Sequence, residues 1–140
     1  MTPLMSDMLR RANQALARAY DRGHPHLTLG QLQILRALGV GGELNQAGLV
    51  QATKMDKSTI CAVLPGLERA GYVKRWRGGG EIGGLDRRAQ VSKITPKGRA
   101  TAHKCLTLLH EAEQDFLAVI PPALRAPFID ALSHIYGWNL

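Results

Sequence analysis

The 140-residue sequence predicts a mainly α-helical fold with one small β-hairpin. Apolar residues recur at three- and four-residue spacing through most of the chain, the pattern of helices that bury one face. The exception is the pair of runs Tyr72-Val-Lys-Arg-Trp76 and Ala89-Gln-Val-Ser-Lys-Ile94, which flank a glycine-rich turn and read as two short strands. Proline and glycine punctuate the pattern at Pro25, Gly71, Pro96 and Pro121-Pro122. The length fits one domain, and 45% hydrophobic residues suffice for a core.

The first helix is expected over residues 4 to about 22, where Leu4, Met8, Leu9, Ala12, Leu16, Ala19 and Tyr20 form a stripe between Arg10, Arg11 and Arg18. Gly23-His-Pro25 ends it, because Pro25 disfavours helical geometry at His24. A second helix fits Thr28 to Leu38, with Thr28 as its cap, Leu32, Leu35 and Leu38 on one side, and Gly39, Gly41 and Gly42 as its stop. A short third helix from Asn45 to about Thr53 precedes a fourth that begins near Asp56 or Ser58 and buries Ile60, Val63, Leu64 and Leu67. Gly71 closes the fourth helix. Pro65 inside it removes a backbone hydrogen bond and crowds the Cys61 carbonyl, so a kink or an early end is expected there.

Beyond the hairpin, Thr95-Pro96 starts a helix that runs to about Val119, with Cys105, Leu108, Leu109, Ala112, Phe116 and Val119 facing inward. Pro121-Pro122 separates it from a last helix carrying Leu124, Phe128, Leu132 and Ile135. These two helices offer more apolar surface than the central unit can cover. Pairing with the first helix, and with the same helices of a second copy, is therefore expected.

Charge is concentrated in one place. Residues 69 to 104 hold ten Lys or Arg against Glu81 and Asp86, a net +8 that exceeds the +7 of the whole chain. The run Arg77-Gly-Gly-Gly-Glu-Ile-Gly-Gly-Leu-Asp-Arg-Arg88 sits at its middle as a glycine-tipped basic finger. Clustered cations of this kind attract nucleic-acid phosphates or an anionic membrane surface. No hydrophobic run approaches membrane-spanning length, and the N-terminus does not read as a secretory signal, so a cytoplasmic protein is expected.

Cys61 and Cys105 are too few for a disulfide framework and are expected to be buried free thiols. His24, His26, His103, Cys105 and His110 include no four-residue helical pair of the kind that chelates zinc, so no metal or other cofactor is expected. The chain offers no paired nucleophile and base and no P-loop lysine, which argues against an enzyme.

The stretch Leu44-Asn-Gln-Ala-Gly-Leu-Val-Gln-Ala-Thr-Lys-Met-Asp-Lys-Ser-Thr-Ile60, followed by Leu67-Glu-Arg-Ala-Gly-Tyr-Val73, Leu85-Asp-Arg-Arg-Ala89 and Ile94-Thr-Pro-Lys-Gly98, resembles the MarR family of winged helix-turn-helix transcriptional regulators. The motifs stand in the family's order over roughly residues 28 to 104. The resemblance implies a winged helix-turn-helix DNA-binding lobe at residues 28–98 and a helical dimerisation region made by residues 1–24 and 99–140. It also implies a homodimer in which each chain sets a recognition helix in the major groove of double-stranded DNA and a wing against the minor groove. Such a protein is expected to repress from a pseudo-palindromic operator and to leave it when a small phenolic or lipophilic anion binds.

By this resemblance the candidate DNA-binding residues are Gln46, Lys54, Lys57, Ser58, Thr59, Arg75, Arg77, Asp86, Arg87 and Arg88. A helix N-terminus bearing Lys57, Ser58 and Thr59 offers a cation, two hydroxyls and free backbone N–H groups, which suits phosphates and base edges. Arginines on a hairpin suit the negative potential of a narrow minor groove. The family's Asp-x-Arg wing motif falls on Asp86 and Arg88, which implies that Arg88 enters the groove while Asp86 holds the wing through an ion pair.

The chain also departs from the family pattern. Ala62 and Gly66, preceded by Cys61, stand where basic or polar residues are common, which leaves fewer side chains to read bases. The wing tip from Gly78 to Gly84 is longer than the usual family turn and is expected to order on DNA. A protein-binding winged-helix module and a non-specific nucleic-acid-binding protein stay open as other readings. Candidate residues for an effector crevice are Tyr20, Arg22, His24, His26 and Trp76, against ordinary roles as core aromatics and solvated-loop histidines.

Overall fold

The computed structural model describes residues 1–78 and 89–137. Along them run α1 (Met5–Asp21), α2 (Leu29–Gly41), β1 (Leu44–Asn45), α3 (Gln46–Thr53), α4 (Lys57–Arg69), β2 (Val73–Arg77), β3 (Gln90–Ile94), α5 (Pro96–Ala118) and α6 (Pro122–Tyr136). The chain divides into two compact units, one of Met1–Pro25 with Leu108–Leu140 and one of His26–Thr107, and α5 runs from the second into the first. No helix of the described residues is long and apolar enough to cross a membrane.

The second unit is built on α2, which opens with a full capping box. Thr28 Oγ1 accepts from the Gln31 N–H at 3.2 Å, and Gln31 Oε1 accepts from the Thr28 N–H at 2.9 Å. Leu32, Ile34, Leu35 and Leu38 of α2 are buried. The helix outruns its expected last residue, Leu38: it runs through Gly39 to Gly41 and ends at Gly42, the last of the three glycines expected to stop it, where φ is 75°. A helical glycine costs only about 1 kcal/mol, so termination falls to the position that needs the left-handed region.

In α3, capped by Asn45 Oδ1 accepting from the Gly48 N–H at 2.8 Å, Leu49 is buried. From α4, Ile60, Leu64 and Leu67 enter the core, while Val63 is only half-buried. Pro65 does not end α4, which continues to Arg69. Buried side chains on both sides of Pro65 hold the helix, and its end is closed by a Schellman motif. The Tyr72 N–H donates to Leu67 O and the Gly71 N–H to Glu68 O, each at 3.0 Å, with Gly71 at φ 81°.

The hairpin is part of a three-stranded antiparallel sheet, in the order β1-β3-β2. Val73 faces Ile94, Lys74 faces Lys93, Arg75 faces Ser92, Trp76 faces Val91 and Arg77 faces Gln90. On the other edge of β3, Leu44 faces Ser92 and Asn45 faces Val91. Two residues are too few to show a strand period, which is why the sequence predicts only the other two strands.

α5 begins where expected and is fastened to the end of α4. Thr95 Oγ1 accepts from the Gly98 N–H at 3.0 Å and donates to Gly71 O at 2.6 Å. Lys97 Nζ donates to Ala70 O at 2.8 Å and sits 5.4 Å from the centroid of the Tyr72 ring. Both side chains thus satisfy carbonyls at the C-terminal end of α4.

In the first unit Tyr20 and Ala112 are buried, and the Phe116 and Phe128 rings lie 6.2 Å apart. Arg125 Nε donates to Ile120 O at 2.9 Å and steadies the turn between α5 and α6. Part of the expected apolar stripes is exposed, namely Met8 and Leu9 of α1 and Leu124, Leu132 and Ile135 of α6, and α6 buries no residue, while Ala12, Leu16, Ala19, Leu108 and Leu109 are half-buried. Val119, expected to face inward, is exposed because α5 stops at Ala118 and Val119 belongs to the turn. Cys105 is buried, but Cys61 is exposed, contrary to expectation, since it follows the inward-facing Ile60 on the outer side of α4.

Candidate nucleic-acid interface

Helices α3 and α4 are joined by the three-residue turn Lys54–Asp56, shaped by local hydrogen bonds. Thr53 Oγ1 donates to Leu49 O at 2.7 Å and accepts from the Met55 N–H at 3.2 Å. Lys54 closes α3 in the left-handed region at φ 57°, its N–H bonded to Val50 O at 2.8 Å. Its ammonium is exposed and reaches Gln51 Oε1 at 3.4 Å.

The N-terminus of α4 is open. Asp56 occupies the capping position, and its side chain makes no capping hydrogen bond. Lys57, Ser58 and Thr59 therefore combine exposed side chains with a first helical turn whose N–H groups Asp56 leaves unbonded. Capping, which a helix start asks of Ser or Thr, is not the role of Ser58 here. Farther along the outer side, Cys61 and Ala62 are exposed, and neither has a long polar side chain.

The base of the hairpin lies beside the start of α3. Asn45, Gln46, Ala47, Arg77, Ala89 and Gln90 line a hollow of about 370 Å³, so two sequence-predicted residues, Gln46 and Arg77, come together there. The Gly78 N–H reaches Ala89 O at 3.4 Å across the hairpin. Among the described residues the ion pairs are Arg10 with Asp7, Arg75 with Glu68 and His134 with Asp130, so Lys57 and Arg77 keep their charges uncommitted.

Arg75 is placed differently from Arg77. Its side chain is only 13% exposed, Nη2 donates to Gln90 Oε1 at 3.0 Å, and Nε lies 3.9 Å from Glu68 Oε1. Alternation along β2 held this signal: Arg75 stands two residues from the buried Val73 and shares its face, whereas Lys74 between them is exposed. Asp86, Arg87 and Arg88, and the glycine-rich tip with them, lie outside the described residues.

Of the effector candidates, Tyr20 is buried at the end of α1, while Arg22 and His24 are exposed just after it, with His24 at φ 51°. His26 is exposed at the start of the second unit. Trp76 is half-buried and lines a hollow of about 550 Å³ with Glu43, Lys74, Lys93, Ile94, Thr95 and Pro96. None of the other four candidates lines that hollow.

Residues 27–89 match the model of the MarR family. The fold is that of a probable transcriptional regulator from Pseudomonas aeruginosa, 27% identical over 94% of this chain and 96% of that one, with a TM-score of 0.82. Residues 27–89 form a MarR-family winged-helix lobe. Other solved structures share the MarR fold. Bordetella bronchiseptica BpsR is 24% identical over 97% of this chain and 95% of its own, with a TM-score of 0.83. A MarR variant from E. coli complexed with operator DNA is 18% identical over 94% of this chain and 92% of its own, with a TM-score of 0.78. Comparison with curated proteins gives no significant match. In MarR terms α3 and α4 are the helix-turn-helix, α4 is the recognition helix, and β2 and β3 carry the wing.

Proposed function

We propose that this chain is a transcriptional repressor that binds a pseudo-palindromic operator as a homodimer and releases it on binding a small phenolic or lipophilic anion. The observation that carries the reading is the open N-terminus of α4, with Lys57, Ser58 and Thr59 exposed on it and the uncommitted Arg77 on the wing. A helix end of that kind binds anionic oxygens, and exposed hydroxyls beside it reach base edges. Gln46 and Arg77 around the hollow at the wing base suit a phosphate of the same backbone. Lys54, Arg87 and Arg88 add charge to this role, with Asp86 holding the wing.

The terminal helices support the dimer. Met5, Met8 and Leu9 of α1 and Leu124, Ile129, Leu132 and Ile135 of α6 are exposed, more apolar surface than a chain of this size leaves in water without use. The MarR-family structure from E. coli was solved with operator DNA, and the BpsR structure concerns regulation of DNA binding by 6-hydroxynicotinic acid. Both relations support an effector-released regulator and a non-enzymatic role for this chain.

Selection of binding sites from random duplex DNA, followed by competition with bulk DNA, tests the reading. The expected result is an enriched palindrome. Binding without enrichment would point to a non-specific nucleic-acid-binding protein, and the short side chains of Cys61 and Ala62 on the exposed side of α4 are the feature that favours it. No binding to any duplex would leave a protein-binding module.

A further inference from the structure

We infer that Arg75 is a positioning residue that fixes the wing against the recognition helix and does not itself touch DNA. The inference rests on the DNA-binding reading above. The Arg75 guanidinium joins three elements: it stands on β2, donates to Gln90 Oε1 on β3 at 3.0 Å, and lies 3.9 Å from Glu68 Oε1 in the last turn of α4. A planar guanidinium with donors in fixed directions holds three elements in register, as a flexible ammonium would not. The remaining arginine on this face of β2, Arg77, is exposed at the open end of the strand, so the two divide the work.

Burial makes the case for a constrained role. Arg75 Nε is out of contact with solvent and has no hydrogen-bond partner. A buried N–H without an acceptor is costly, and a leucine would fill much of the same space without that cost. Among the described residues the carboxylate paired with it is Glu68, which is still partly exposed and too far away for a hydrogen bond. Moving Glu68 by about 1 Å would satisfy Nε and complete the link.

The duplex recovered by site selection with the unmodified chain serves as the probe. Arg75→Met and Gln90→Leu are each expected to weaken binding about tenfold while leaving the slope of affinity against salt concentration unchanged, because no phosphate contact is lost. Hydroxyl-radical footprinting at saturating protein is expected to keep the protection of both the wing and α4, since the cationic contacts of each remain. The double variant is expected to lose no more than about tenfold, since both changes break one link. A salt slope reduced by about 0.9 in Arg75→Met would overturn the inference by showing a phosphate contact. Multiplying losses in the double variant would overturn it as well. If Arg75→Met does not fold, Gln90→Leu carries the same readouts. Failure of the unmodified chain to enrich any duplex would refute the DNA-binding reading itself, and that result precedes any variant.

Discussion

Replacing Gly98 with alanine is expected to destabilise the protein by about 2 kcal/mol, whereas the same replacement at Gly66 is expected to stabilise it by up to about 1 kcal/mol. Both glycines lie in helices, α5 and α4, so both changes gain helix propensity. Their surroundings decide the sign. A Cβ on Gly98 would collide with the Tyr72 carbonyl and lie 2.9 Å from Ile94 Cγ1. That carbonyl cannot swing aside freely, because it accepts from the Thr95 N–H at 3.0 Å. The first turn of α5 must therefore lift from the entry to β2, disturbing the turn in which Thr95 bridges Gly71 and Gly98. Overpacking of this kind costs about 1–3 kcal/mol, and taking the upper end less about 1 kcal/mol of propensity gives the net figure. At Gly66 the nearest atom is Arg69 Nη2 at 3.8 Å, an ordinary contact. Thermal and urea unfolding at one chain concentration would read both, with the melting point expected to fall by roughly 7 °C for Gly98→Ala and to rise by roughly 3 °C for Gly66→Ala. A Gly98→Ala chain that melts with the parent would refute the packing argument.

Three further outcomes are expected. Thr95→Ala loses both an N-cap and a hydrogen bond to Gly71 O and should cost about 2 kcal/mol in urea unfolding, while Thr95→Ser keeps the hydroxyl and should cost well under about 1 kcal/mol. Arg77→Ala should weaken operator binding and lower its salt slope by about 0.9, as should Arg88→Ala; gel-shift titrations unchanged at two salt concentrations would remove that residue from the interface. Leu132→Glu with Ile135→Glu places two carboxylates on the exposed apolar side of α6 and should give monomers in light scattering at micromolar concentration.

What the sequence revealed follows from how local each signal is. The cap at Thr28, the Gly71 stop and the Thr95-Pro96 start are set by neighbours three to five residues away, and each is found where it was expected. α2 outruns its expected last residue, Leu38, and Pro65 brings no early end to α4, because local propensity is weak against burial: the leucines of α2 and the buried Leu64 and Leu67 beside Pro65 carry both helices through. β1 was invisible because its two residues gain their pairing only from β3, more than forty residues away. At the candidate site, charge alone could not separate Arg75 from Arg77, since what distinguishes them is a pleat and the distant partners Glu68 and Gln90.

That separation changes how the interface should discriminate among DNA sequences. With Cys61 and Ala62 on the exposed side of α4, the polar groups able to meet bases gather in its first turn, at Ser58 and Thr59. A few contacts at one helix end tolerate little error in position, because each is worth about 1–3 kcal/mol only when its geometry is met. The neighbouring cations supply affinity without sequence information. Selectivity in such a protein therefore depends on how firmly the wing and α4 are held relative to each other on the duplex. A loosened strut at Arg75 should leave binding to bulk DNA nearly intact while it erodes preference for the operator, the reverse of losing Arg77, which should weaken both alike.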